Sequence, residues 1–156
     1  VAAVSLRKAT ALCVALALVC VIGVRAQLVR QQTVRDLTQL ETIVRMRGDD
    51  IWLMGKGYLW DGLERLLLER LRARVRVRVL TGERDAPMFA ALARAGAEVR
   101  TLPGGITQGP MLAGPVLVNR VRTGEFVVIE ADANAIIRAR LSEMYASSLT
   151  KPYTGR

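Results

Sequence analysis

The residues of this chain best equipped for chemistry are basic. Arg72, Arg74, Arg76 and Arg78 alternate with Ala73, Val75, Val77 and Val79. On one extended strand such arginines share a face at about 6–7 Å spacing, close to the repeat of phosphates along a nucleic-acid strand. A second set, Lys56, Tyr58 and Trp60, also alternates, and aromatic side chains so placed can stack bases. Lys56, Arg74, Arg76, Arg78 and Arg120 are therefore the candidates for contact with an anionic partner. Each pattern has a plainer reading. A strand between helices is buried on both faces, so its arginines would lie with their stems packed and their heads snorkelling or paired with Glu64, Glu69 or Glu98. The aromatics would cap a core otherwise poor in rings. For both sets the structural role is the favoured expectation.

Two further groups are weaker. The stretch Pro103 to Pro115 holds four glycines and three prolines and could cradle phosphate with its backbone amides. It carries no Gly-x-Gly-x-x-Gly or P-loop pattern, so it reads as turn chemistry. The carboxylates Asp49, Asp50, Glu130 and Asp132 could take a hard cation, but they are scattered in the manner of turn and cap residues. No metal site and no cofactor are expected.

What is missing narrows the chemistry further. The sequence has no histidine, which removes Ser-His-Asp and Cys-His catalysis, histidine-ligated zinc and any histidine nucleophile. The only cysteines, Cys13 and Cys20, sit in an N-terminal apolar run. The formal charge is +9, of which Arg7, Lys8 and Arg25 supply three, leaving +6 on residues 27–156. A surplus of that size suits anionic partners, nucleic acid or a membrane surface, and equally suits a merely soluble basic protein.

The first 26 residues read as an export signal. Arg7 and Lys8 precede the uninterrupted apolar run Ala11 to Val24, and Val24-Arg25-Ala26 offers a cleavage site before Gln27. The run is shorter than the roughly 20 residues a membrane span needs. A periplasmic or extracellular location is expected, with an uncleaved membrane anchor as the alternative.

The elements that would position these residues follow from periodicity. Val34, Leu37, Leu40 and Val44 predict a helix from Leu28 to Arg47, ended by Gly48, with a turn at Asp49-Asp50. Ile51 to Met54 reads as a strand. Leu63 to Arg72, capped by Asp61, reads as an amphipathic helix with Leu63, Leu66, Leu67 and Leu71 inward. Arg74 to Leu80 is a strand broken by Thr81-Gly82, Pro87 to Ala95 a helix, and Ala97 to Leu102 a strand. After the loop, Val116 to Val121 and Phe126 to Ile129 form a hairpin, and Ala133 to Leu149 a last helix with Ile137, Leu141, Met144 and Tyr145 on one face. The tail from Thr150 reads as frayed. The order predicts an α/β domain with a mixed, mostly parallel sheet covered by helices on both faces. The chain divides into a signal (1–26), an N-terminal helix (27–49), the domain (50–150) and a tail (151–156).

This order, with the runs Asp50 to Leu80, Phe89 to Leu102 and Pro115 to Asn119, resembles one half of the phospholipase D superfamily. The resemblance covers about 100 residues and implies a phospholipase D-like fold. The family's H-x-K-x4-D motif falls on Leu112 to Asn119. Leu112 stands at the histidine nucleophile, Gly114 at the phosphate-binding lysine and Asn119 at the aspartate. The downstream Gly-Ser-x-Asn element is not recognisable, and Asn134 is the only residue that could stand for it. Leucine has no lone pair with which to attack phosphorus, and glycine cannot offset phosphodiester charge. The resemblance thus implies an inactive module that binds an anionic phosphodiester or an unknown protein partner. The alternatives are a scaffolding subunit and a decayed relic. Single-motif members resemble halves of a two-fold unit, so a homodimer is implied as well.

Overall fold

The computed structural model describes residues 30–122, 124–130, 134–147 and 149–155. The segment read as an export signal, Asp132, Ala133 and the side chain of Asn134 fall outside them. The chain runs β1 (Arg30–Val34), α1 (Leu37–Arg47), β2 (Asp50–Met54), α2 (Leu63–Arg72) and β3 (Arg76–Gly82). A 3-10 turn at Ala86–Phe89 enters α3 (Ala90–Arg94), followed by β4 (Glu98–Leu102), β5 (Met111–Ala113), β6 (Val116–Arg122), β7 (Glu125–Glu130), α4 (Asn134–Ala146) and β8 (Lys151–Tyr153). The eight strands of the described residues form one sheet, ordered β1-β7-β6-β5-β2-β3-β4-β8.

The leucine spacing of α2 explains how the centre closes. Leu63, Leu66 and Leu67 lie on one side of the helix and are fully buried. They cover the face of the sheet that carries Ile51, Leu53, Val77, Val79 and Val99, with Leu40 and Val44 of α1 and with Phe89 and Leu92 alongside. Because side chains alternate along a strand, Trp52 points to the opposite face. There it meets Leu112 and Leu141, with Leu117, Ile137 and Tyr145 packed around them beneath α4. Helices therefore cover both faces, as expected.

The sheet is mixed but not mostly parallel. Only β2–β3 and β3–β4 pair in parallel, and the other five ladders of the described residues are antiparallel. Parallel pairing needs a crossover element, and α2 and α3 supply two. Short turns join β5, β6 and β7, which fixes those neighbours antiparallel.

Other boundaries also differ from the sequence reading. Residues 30–34 are strand, pairing with β7 from Arg30↔Glu130 to Val34↔Phe126, rather than the start of a helix. Val34 is buried, as its helical spacing suggested, but from a strand. Asp36 then caps α1 by accepting from the Thr38 amide at 2.9 Å. Asp50 opens β2 rather than closing a turn. Gly62, at φ +91°, takes the cap position of α2 in place of Asp61. β3 begins two residues late because Arg74 lies at φ +62° in the turn that leaves α2. It continues through Thr81 and Gly82, where a β-carbon on Gly82 would come within 2.8 Å of the Gly104 carbonyl oxygen. That glycine marks a close backbone approach, not a break. The 103–115 loop contains strand β5, and the supposed frayed tail contains β8, which pairs with β4.

Candidate functional site

Two of the three positions that would carry the family motif, Leu112 and Gly114, lie towards the amino-terminal ends of the parallel strands. Leu112 on β5 is fully buried in the apolar cluster under α4. Gly114 and Pro115 make the turn between β5 and β6, with Gly114 at φ +55°. A β-carbon there would stand 2.0 Å from the Arg47 carbonyl oxygen and 3.0 Å from Asp49 Oδ1. The Gly114 amide donates to the Asp50 carbonyl at 3.0 Å. Asn119 is exposed on β6 opposite Val127. Five residues of strand, roughly 17 Å, separate it from Gly114. Leu112 and Gly114 thus share one end of the sheet, and Asn119 does not join them.

The space next to that turn is filled by ion pairs. Asp50 accepts from Arg78 Nη1 at 3.1 Å, from Arg138 Nη1 at 2.7 Å and from Trp52 Nε1 at 3.1 Å. Arg138, on α4, also donates Nη2 to the Gly114 carbonyl. Arg78 lies 4.4 Å above the Trp52 ring and reaches Glu98 at 3.8 Å. Glu98 accepts from Arg76 Nε at 2.5 Å and from the Tyr145 hydroxyl at 3.2 Å. The parallel register explains the chain of contacts, since it sets Asp50 beside Arg76 and Arg78 beside Glu98. The Arg76 guanidinium holds the Glu98 carboxyl below its usual range. Burial, then the Glu98 charge, pushes the Tyr145 phenol up to about 12.

The candidate cations therefore separate. Arg76 and Arg78 share a face of β3 and are tied to acids; Arg74 is exposed in the preceding turn, and Arg72 belongs to α2. Arg120 donates to the Leu59 carbonyl at 3.1 Å. The aromatics belong to the core: Trp60 is 5% exposed and meets Phe126 edge-on, while the half-buried Tyr58 meets Phe89. The carboxylates Asp49, Asp50 and Glu130 do not converge on a common cation position among the described residues.

Lys56 sits elsewhere, at the carboxyl ends of the parallel strands. The segments leaving β2, β3 and β4 meet there around a cavity of about 550 Å³. Its lining includes Lys56, Arg84, Asp85, Gly104 and Gly105. Glu83, also at the rim, is neutralised by Lys151 at 3.6 Å. Lys56 and Arg84 are exposed and make no ion pair among the described residues. In open α/β sheets this end of the strands is where ligands dock. Sequence reasoning named Lys56 but missed Arg84. The signal available was its place, a basic residue directly after a parallel strand.

This arrangement is that of a phospholipase D-like fold, and one of the solved structures similar to it is described as a phospholipase D family member. Nuc from Salmonella typhimurium, a phospholipase D family member, is 12% identical, with a TM-score of 0.60 over 80% of this chain and 97% of that one. NucT from Helicobacter pylori is 9% identical, with a TM-score of 0.56 over 80% of this chain and 99% of that one. TrmBL2, an archaeal chromatin protein with a novel mode of DNA binding, is 16% identical, with a TM-score of 0.59 over 76% of this chain. The match spans half of TrmBL2's own length. No protein-family model matches the chain, and no curated protein sequence matches it.

Proposed function

We propose that this domain is an exported, catalytically silent phospholipase D-like module that holds a phosphodiester polyanion, nucleic acid foremost, at the Lys56–Arg84 cavity. The observation that carries the reading is that Lys56 and Arg84, which make no ion pair among the described residues, line one cavity with Gly104 and Gly105 at the carboxyl ends of the parallel strands, where Asp85 offsets part of their charge. The Gly104-Gly105 backbone leaves room for a phosphate to approach, and the +6 of residues 27–156 draws anions in. The DNA binding described for TrmBL2 supports the choice of nucleic acid. Silence follows from a sequence without histidine and from Leu112 and Gly114 at the motif positions.

The test is anisotropy of a labelled oligonucleotide titrated with residues 27–156. Binding at about 50 mM salt should weaken steeply towards 200 mM, because each phosphate contact releases counterions. The Lys56→Ala/Arg84→Ala double variant should flatten the logarithmic slope by about 1.4–1.8, two contacts' worth. No binding by the parent at low salt, or an unchanged slope in the variant, overturns the reading. Binding to anionic vesicles but not to oligonucleotide would place a membrane surface in the role instead. The scaffolding alternative rests on a different observation, that Arg76 and Arg78 are spent on internal ion pairs. It predicts a stable homodimer by light scattering with no polyanion affinity.

A further inference from the structure

At the opposite end of the sheet, the Asp50 carboxylate receives donors from three side chains on three elements: Trp52 on β2, Arg78 on β3 and Arg138 on α4. Each donor is held in place by something other than Asp50. Arg138 is anchored through Nη2 to the Gly114 carbonyl. Arg78 lies against the Trp52 ring and reaches Glu98. Trp52 is packed among Leu112, Leu141 and Tyr145. The donor set is therefore preorganised independently of the anion it surrounds. Two guanidiniums and an indole N–H that converge from different directions are the donor chemistry of an oxyanion site.

The charges agree. Arg78 and Arg138 bring two positive charges to the Asp50 carboxylate, and Glu98 is shared between Arg78 and Arg76. Without Asp50 the pair would lack its main counter-charge. Asp49, which lies by the Gly114 turn, makes no ion pair with either arginine among the described residues. The arginine heads are neither sealed nor loose: Arg78 is 13% exposed and Arg138 31%.

We propose that Arg78, Arg138 and Trp52 form an oxyanion site whose occupant in this chain is its own Asp50 carboxylate. The external ligands it fits are small tetrahedral oxyanions, a phosphate or phosphate ester, which a single substitution at Asp50 would admit. The site is separate from the Lys56–Arg84 cavity at the other end of the strands, so the two succeed or fail independently.

The test places Asp50→Ala and Asp50→Ser in the Lys56→Ala/Arg84→Ala background, which removes phosphate binding at the cavity. Melting temperature is followed against inorganic phosphate, with sodium chloride at matched ionic strength as the reference. Asp50→Ala should gain a saturable phosphate-dependent rise that the Asp50 parent lacks, and adding Arg138→Gln should abolish it. The Arg138 dependence separates binding at this site from the general salting-out effect of phosphate. Should an Asp50 variant be unfolded in chloride, phosphate should restore its fold, and restoration should again require Arg138. A rise no larger than that of the Asp50 parent, or one that survives Arg138→Gln, overturns the proposal, as does restoration no better than in chloride.

Discussion

Gly114, the position that the resemblance sets at the family's lysine, offers the sharpest test of whether a side chain can be placed there in this fold. Any L-residue at φ +55° adopts the left-handed region, which costs about 1–2 kcal/mol. The β-carbon would also meet the Arg47 carbonyl oxygen at 2.0 Å. That neighbour is backbone at the end of α1, so relief requires moving either the helix end or the β5–β6 turn. Overpacking of this kind costs roughly 1–3 kcal/mol more. The sum for Gly114→Ala is about 2–5 kcal/mol, which for a domain of this size lowers the melting temperature by roughly 5–20 °C. Gly124→Ala is the matched control, because Gly124 lies at φ +77° with nothing within 4 Å of a β-carbon. It should lose only the backbone part, about 1–2 kcal/mol. Circular-dichroism melts of the two variants beside the parent decide the matter. If Gly114→Ala melts with Gly124→Ala, the contact with Arg47 is not what closes this position. Gly114→Lys should behave no better than alanine, since the obstruction acts at the β-carbon that both share.

Three other outcomes follow from the same geometry. Arg74→Gly should stabilise the domain by about 1 kcal/mol, because glycine adopts the φ +62° found there without penalty; oligonucleotide affinity should be unchanged, since Arg74 lies at the amino ends of the strands, and a lower melting temperature would refute the backbone argument. The Glu98 carboxyl is held low by Arg76, so its contribution is present above the ordinary value of 4.5 and disappears as pH falls through the lower folded-state value. Glu98→Gln should therefore show a shallower loss of melting temperature than the parent in acid titrations below about pH 4.5. The Tyr145 phenol, raised from 10.0 to about 12, binds its proton more tightly when folded, so stability should fall as pH rises between those values. Tyr145→Phe should make that alkaline decline shallower, leaving the share of the Tyr58 phenol, which burial also raises, and an identical decline in the variant would count against it.

The parts of the fold that the sequence made legible are those with a strong local period. The leucines of α2 repeat at helical spacing and close on the core as read, although Leu71 is only partly buried. The β6–β7 hairpin and β4 alternate or run apolar for long enough to name themselves. The edge strands did not. Residues 30–33 are polar and exposed, so nothing in Arg30-Gln31-Gln32-Thr33 says strand until β7 is known to lie beside it. β8 is three residues with a proline in the middle, a composition that resembles a tail. The ion network was half legible. Glu98 was named as a partner for the arginine ladder and holds Arg76. Asp50 reads as a turn residue from the sequence, because two adjacent aspartates after a glycine look like one. Arg138 gave no signal, since one arginine on an otherwise ordinary helix is indistinguishable from a solvated one until the helix is laid over the sheet.

The two ends of the parallel strands have been given opposite electrostatic treatment, and that asymmetry bears on where function can lie. At the amino ends Asp50 and Glu98 are committed to Arg76, Arg78 and Arg138, and Arg47 is committed to Glu130 at 3.4 Å. A charge already engaged by a neighbour offers little to an incoming anion, because binding would first have to break that pair. At the carboxyl ends Glu83 takes its partner from β8, and Lys56 and Arg84 make no ion pair among the described residues, although Asp85 lines the same cavity. Partner binding that depends on the amino-end arginines would therefore have to disturb the clamp between α4 and the sheet, and would register as a change in stability. Binding at the carboxyl ends needs no such disturbance. A variant series that alters affinity without shifting the melting temperature should map to Lys56 and Arg84, and one that shifts both should map to Arg78 and Arg138.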